Sequence, residues 1–245
     1  MGQEVRFDGG HKHDKLCTNT LSAYFDFVSE CPEVSIGLGI PRKPIRLIGN
    51  TKAPRAVATH DNELDYTDKL IAFGEQKAKQ HQQICGYIFM KNSPSCGLFR
   101  VKVYGENGYP EKGGGRGVYA KAITDANPLL PVEESGRLTD PSLRENFITR
   151  VFAYHNWQQI VQAGLSHKVI LDFHVRYKYC LMAHSPTDYS KLGQMLADAG
   201  KSDPVVLGQR YFNLLMAALT KVATRKTHSN VLMHLQGYLK KSLSS

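Results

Sequence analysis

Residues 86–98 read Gly-Tyr-Ile-Phe-Met-Lys-Asn-Ser-Pro-Ser-Cys-Gly-Leu. Gly86 to Met90 is a short apolar run with β-branched and aromatic residues, the pattern of a buried strand. Asn92-Ser93-Pro94-Ser95 ends it as a turn. Cys96 follows just past the strand's C-terminal end, with Gly97 leaving room beside it. In open α/β sheets, chemistry collects at the carboxyl ends of strands. A polar loop carrying a thiol at that place is a candidate site by position alone.

Working outward, the pattern on both sides alternates between β and α. Thr18–Phe25 reads as a short helix, with Thr18 as N-cap. Asp26–Cys31 reads as a strand ending at Cys31-Pro32-Glu33. Val34–Ile40 is irregular and Gly-containing, and Ile45–Gly49 is short and extended. Thr67–Gln83 has the apolar spacing of an amphipathic helix. Phe99–Tyr104 alternates like a half-exposed strand, Val118–Asp125 is helical, and Pro131–Glu134 is extended. Strands separated by helices predict a parallel or mixed sheet with flanking helices. After Pro141 the pattern changes to helix after helix: Ser142–Ala163, Ser166–Ala183, Thr187–Ala199, Pro204–Thr224 and His228–Ser242, joined by short links. The expected organisation is an α/β domain over residues 1–148 and an all-α bundle over 149–245.

The formal charge of +9 is uneven. Up to Arg150 there are 20 Lys plus Arg against 18 Asp plus Glu; from Val151 onward there are 11 against 4, with no Glu. The asymmetry predicts two modules with different electrostatic roles. No apolar run approaches the roughly 18 residues that span a bilayer, and the polar N-terminus has no signal-peptide pattern. No membrane association is expected, and the expected compartment is the cytoplasm. Five widely spaced cysteines without a Cys-x-x-Cys pair disfavour a disulfide framework or a zinc ribbon.

Two cysteine segments stand out. Cys31-Pro32-Glu33 and Ser93-Pro94-Ser95-Cys96 both follow expected strands, so both can reach one crevice. A thiolate pair beside a carboxylate and hydroxyls suits a soft metal with an acid/base partner; free cysteines are also often buried small hydrophobes. The Gly113–Gly117 run ahead of a helix is open to two readings, a phosphate cradle or a flexible loop. Asp8–Asp14, with His11 and His13, reads as a solvated loop contacting a substrate, with metal binding by the two histidines as the alternative. Pro41-Arg42-Lys43-Pro44-Ile45-Arg46 reads as a solvated charged surface or a run that meets an anion. In the helical part, Phe173–Tyr179 and Arg225–His228 mix cations with aromatics. That mixture suits nucleic-acid backbones and stacked bases; equally, Tyr177, Leu181 and Met182 suit a bundle core with a wet charged face. His174, His184, His228 and His234 lack the Glu-x-x-His pattern of a di-iron site.

Several segments carry a family resemblance. Val5–Lys12, Cys31-Pro32-Glu33-Val34, Gly37–Arg42, Ser93–Gly97 and Pro131–Glu134 resemble DUF523, whose characterised members are thiouracil desulfidases, over about Met1–Arg150. Tyr179–Pro186 and Arg225–Tyr238 resemble DUF1722, the YbgA-like family, whose function is not established. The resemblance implies a [4Fe-4S] cluster held by three cysteines with one iron open. Two of these match Cys31 and Cys96; neither Cys17 nor Cys85 matches the third. That ligand belongs to a strand-plus-Cys segment immediately before Gln3–Gly10, and Met1-Gly2 stands where its Leu-Gly would be. The first strand and first cluster cysteine are therefore expected to be absent from this chain. Either the native protein starts further upstream, the reading favoured by the presence of Cys31, Glu33, Ser95 and Cys96, or the cluster has been lost.

The activity this resemblance implies is hydrolysis of a C–S bond in a thiolated nucleobase or related thiocarbonyl compound, releasing sulfide. Iron would polarise the C–S bond, Glu33 would act as general base, and Ser93 or Ser95 would hydrogen-bond the base ring or the bound sulfur. The expected partner is a small thiolated substrate, with RNA a candidate partner of the basic helical domain. The alternative is a non-enzymatic nucleic-acid-binding or scaffold protein acting through that domain.

Overall fold

The computed structural model describes residues 2–80, 83–227, 229 and 233. His228, His234 and most of the helix expected over His228–Ser242 lie outside the described residues, as do Met1 and positions 81 and 82 of the helix expected over Thr67–Gln83. The chain divides into two compact units, Met1–Thr139 and Asp140–Ser245.

The first unit is mixed α/β. A short helix α1 (Pro32–Ser35) precedes three strands, β1 (Ile45–Asn50), β2 (Ala53–Ala58) and β3 (Asp61–Asp65). Then come α2 (Thr67–Gln80), β4 (Tyr87–Phe89), β5 (Val103–Tyr104), α3 (Val118–Ala126) and β6 (Val132–Glu134). One sheet has the order β3-β2-β1-β5, antiparallel except for the parallel β1/β5 pair. β4 and β6 form a separate parallel pair, with Phe89 opposite Glu134. Ile45 and Leu47 of β1, Ala56 and Val57 of β2, Val103 of β5 and Leu70 of α2 are buried. α2 and α3 cross closely at Gly74, where a Cβ would lie 2.7 Å from that of Ala122. Phe73 stacks on Tyr119 beside this crossing.

The mixed sheet with flanking helices agrees with expectation; several elements differ in detail. Thr18–Phe25 is a π-helical turn (Leu16–Thr20) followed by a 3-10 turn (Leu21–Ala23). Asp14 Oδ1 accepts from the amides of Leu16 and Cys17 and so starts the coil early. Asp26–Cys31 forms no strand and joins no β-ladder among the described residues, and its apolar Val28 is 75% exposed. Of Phe99–Tyr104 only the last two residues are strand, because Arg100 takes φ 51° and turns the chain. β2 and β3 were not expected. β3 reads Asp-Asn-Glu-Leu-Asp, is exposed throughout, and lacks the alternation that marks a strand.

The second unit, as far as described, is helical, as expected: α4 (Pro141–Ala163), α5 (His167–His184), α6 (Pro186–Ala197) and α7 (Pro204–Leu219). Three helices start on one device. Asp140, Ser185 and Asp203 cap the first amides, and Pro141, Pro186 and Pro204 follow at the first helical position. Trp157 stacks on Phe212 at 4.9 Å and meets Phe173 edge-on, with Tyr211 fully buried between helices. Leu181 is fully buried, Tyr177 stacks on Phe173 and Arg176 is exposed, so this stretch is core on one side and wet on the other. His174 faces Tyr211 and Tyr189, whereas His184 donates through Nδ1 to the Lys221 carbonyl.

At the start of α6, Ser185 Oγ donates to Asp188 Oδ2 and accepts from the Asp188 amide, while Lys221 Nζ donates to the same carboxylate at 2.6 Å. Lys221 and Ser185 hold the Asp188 carboxyl below the usual carboxylate range. A carboxyl depressed in the folded state contributes stability that is present above its unfolded value and is lost as pH falls through its folded one. Asp188→Asn is therefore expected to destabilise at pH 7 and to converge with the wild type as pH falls through the depressed folded-state value, as read by urea unfolding at several pH values. No helix among the described residues is long and apolar enough to cross a membrane.

Candidate active site

Cys31 caps α1 with an extended backbone, φ −119° and ψ 101°, and Pro32 locks the first helical position behind it. Glu33 follows in the first turn. On the other side, β4 ends in the Lys91–Gly97 loop, which is closed by its own hydroxyl. Ser93 Oγ accepts from the amides of Cys96 (3.0 Å) and Ser95 (3.3 Å), and the Gly97 amide donates to the Ser93 carbonyl at 2.7 Å. This turn sets Ser95, 1% exposed, and Cys96 side by side.

The two segments meet through one short bond. Ser95 Oγ donates to Glu33 Oε1 at 2.7 Å, across 62 positions of sequence. A hydroxyl has one proton, so the 2.9 Å contact between Ser93 and Ser95 is Ser93 donating to Ser95. The result is a relay from Ser93 through Ser95 to the carboxylate. Glu33 Oε2 accepts from Nε of Arg42 at 2.9 Å and pairs with its Nη2 at 2.9 Å. The Arg42 side chain is 8% exposed, so of the two readings of the charged run, a solvated surface or a meeting with an anion, Arg42 follows the second. Burial, with the fields of Glu33 and Cys31, pushes the Cys96 thiol up to about 12. Glu33 and Cys31 act on Cys96, so the two cysteine segments share one electrostatic site.

Two further elements hold the Cys96 loop. The first-turn amides of α3, which have no partner within their own helix, donate to it: Val118 to the Pro94 carbonyl and Ala120 to that of Ser95. The Gly117 amide donates to Gly97 at 2.7 Å, and a Cβ on Gly117 would lie 2.5 Å from the Ser95 carbonyl oxygen. The Gly113–Gly117 run is thus neither a phosphate cradle nor a free loop. Gly115 pairs with Val101 in both directions, and the amides of Gly115 and Gly117 are taken by carbonyls rather than open to an anion. Glu134, 2% exposed on β6, accepts the amides of Leu98 and Phe99 on one oxygen.

A family model described as 2-thiouracil desulfurase matches residues 1–135. The chain belongs to the 2-thiouracil desulfurase family. The region that places this desulfurase-family chain in it contains Cys31, Glu33, Arg42, the Ser93–Cys96 loop and Glu134. A second model, for the DUF1722 family of unknown function, matches residues 178–245. The uncharacterized protein YbgA of Escherichia coli (strain K12) is 33% identical over 102 residues, 41% of this chain and 60% of YbgA. The chain thus spans less than two thirds of that curated relative. A solved [4Fe-4S]-dependent thiouracil desulfidase, TudS, is similar at 28% identity with a TM-score of 0.45, covering 58% of this chain and 90% of that one.

As a donor set for an iron–sulfur cluster, the desulfurase-family cleft is right in kind, since thiolates are the ligands such clusters take. It falls short in number: among the described residues no group of three or more His, Cys, Asp or Glu converges as a metal site. Cys17 is buried at the π-helical turn, with Asp14 rather than Cys31 or Cys96 acting on it, and Cys85 bonds the Gln83 carbonyl. His13 Nε2 bonds Thr18 Oγ1, as part of a local loop. The sequence offers Arg42 as part of a run that could meet an anion, and here the anion is the Glu33 carboxylate; Glu134 stands out only as a family motif residue. Arg42 lay hidden in a Pro-rich charged run, and the signal for Glu134 was an acidic pair on a strand that is otherwise buried.

Proposed function

We propose that this protein is an iron–sulfur-dependent desulfidase that removes sulfur from a thiolated nucleobase or related thiocarbonyl compound. The Ser95–Glu33 hydrogen bond carries this reading, because it joins the two cysteine-bearing segments of a desulfurase-family chain into one cleft. Cys31 and Cys96 are the residues that would hold a [4Fe-4S] cluster. When bound, the cluster supplies a thiophilic Lewis acid for the substrate's sulfur.

The remaining roles belong to the chain itself. Glu33 Oε1 takes a proton from the water that attacks the thiocarbonyl carbon, and Ser95 and Ser93 orient that oxygen and hydrogen-bond the substrate. The thiocarbonyl and one water become the oxo compound and hydrogen sulfide, with no net electron transfer. Anaerobically purified protein, reconstituted with iron and sulfide and incubated with 2-thiouracil, is expected to release sulfide and uracil one for one. Iron-loaded protein that releases no sulfide from 2-thiouracil or other thiolated nucleobases rules the reading out.

A second reading concerns the helical unit and rests on its charge. Asp172, Asp188 and Asp198 are paired with lysines, and Asp203 caps α7. Among the described residues Arg176, Arg210, Arg225 and Lys226 are exposed and carry no ion pair. Such cations suit a phosphate backbone, and RNA is the partner they favour. Binding of the full chain to RNA is expected to weaken steeply with salt. Arg176→Gln/Arg225→Gln/Lys226→Gln is expected to flatten the salt slope by about one per lost phosphate contact. Fluorescence anisotropy titrations check this, and a slope unchanged in the triple variant rejects it.

A further inference from the structure

Three separate segments converge on Arg42. Its amide donates to the Phe7 carbonyl at 2.8 Å, and its Nη1 donates to the carbonyls of Val5 (3.0 Å) and Gly39 (3.3 Å). The Val5 carbonyl also accepts the Cys31 thiol at 3.7 Å, and Arg42 Nη2 lies 3.9 Å from the Cys31 sulfur. An arginine meeting a carboxylate usually spreads two donors over two oxygens. Here Nε and Nη2 both fall on Glu33 Oε2, so Oε1 is left to Ser95. Five fixed donors in one plane allow this division; a lysine ammonium, a point charge on a flexible stem, does not.

We propose that Arg42 is the positioning residue of the cleft, reserving Glu33 Oε1 for Ser95 and holding the Cys31 turn so that its sulfur faces the site of Cys96. The role goes beyond the desulfidase reading, and its catalytic part rests on that reading. Arg42 need not touch substrate; it acts through Glu33 and through the Cys31 turn.

The test uses the full chain of the wild type, of Arg42→Lys, and of the neutral pair Arg42→Gln/Glu33→Gln, which leaves no unpaired charge. Metal-free protein is treated with phenylarsine oxide, which binds two neighbouring thiols together and releases one water. Peptide mapping then identifies the cysteines used. In the wild type, capture at Cys31 and Cys96 is expected. Arg42→Lys is expected to melt cooperatively, to capture at this pair 10–100-fold more slowly, and to lose 10–100-fold in kcat with KM within about twofold, the size typical of residues that orient ligands. A purely structural role would lower the melting temperature and leave the kcat of the folded fraction untouched. Capture and kcat at wild-type values in Arg42→Lys overturn the proposal. If that variant does not fold, wild-type capture in the neutral pair overturns it instead. Absence of sulfide release from iron-loaded wild type defeats the desulfidase reading, whereas arsenical capture still decides whether Arg42 positions Cys31.

Discussion

Glu33→Gln is expected to lower sulfide release by about 10²–10⁴-fold, the usual contribution of a positioned acid or base, while iron incorporation is retained. The carboxamide has the same shape as the carboxylate but one acceptor oxygen instead of two. If that oxygen faces Ser95, the amide nitrogen opposes the donors of Arg42; if it faces Arg42, Ser95 meets a donor. Either way the base is gone and a nearly buried guanidinium, 8% exposed, has lost its counter-charge. Breaking a buried pair from one side costs on the order of 3 kcal/mol, so kinetics belong well below the unfolding temperature. The neutral pair Arg42→Gln/Glu33→Gln should recover much of that stability and none of the activity. Turnover of Glu33→Gln within twofold of the wild type would show that another group activates the water.

The second large effect is expected at Gly117. In Gly117→Ala the new methyl overlaps the Ser95 carbonyl at 2.5 Å and the Gly97 nitrogen at 2.8 Å. Both are backbone atoms, so no rotamer change relieves the clash. Either α3 or the Cys96 loop must move, at a cost of about 1–3 kcal/mol or more. Any such shift also carries Ser95 away from Glu33, so sulfide release should fall with stability. Gly193 in α6 provides the contrast, since a Cβ there meets nothing within 4 Å. Gly193→Ala is expected to stabilise by about 0.5–1 kcal/mol through helix propensity. Urea unfolding of the two variants, with opposite signs from one chemical change, checks both; a neutral Gly117→Ala would mean the α3–loop contact is looser than described.

What was legible in the sequence follows from how local each signal is. The strand, turn and thiol of Gly86–Leu98 lie within thirteen residues, and β4 with its loop agrees with that reading. The helices of the second unit announce themselves by cap residues next to prolines. Cys31 is placed for a different reason from the one its sequence offered: the segment before it forms no strand, and the Pro32 turn with Arg42 fixes it instead. β3 was invisible because its pairing is backbone-driven: it has a single apolar side chain and buries none of its residues. Arg42 could not be told from its neighbour Lys43 by composition. Only the fold distinguishes a cation turned inward, with five polar contacts, from one left in water.

The outer edge of the four-stranded sheet is formed by β3, which carries Asp61, Glu63 and Asp65. An unpaired edge normally invites the strand of another molecule. Two copies approaching through β3 would bring Asp61 and Glu63 of one close to the acids of the other. This edge is therefore self-repelling, and crowding the protein to high concentration should not zip its sheets into fibres from that side.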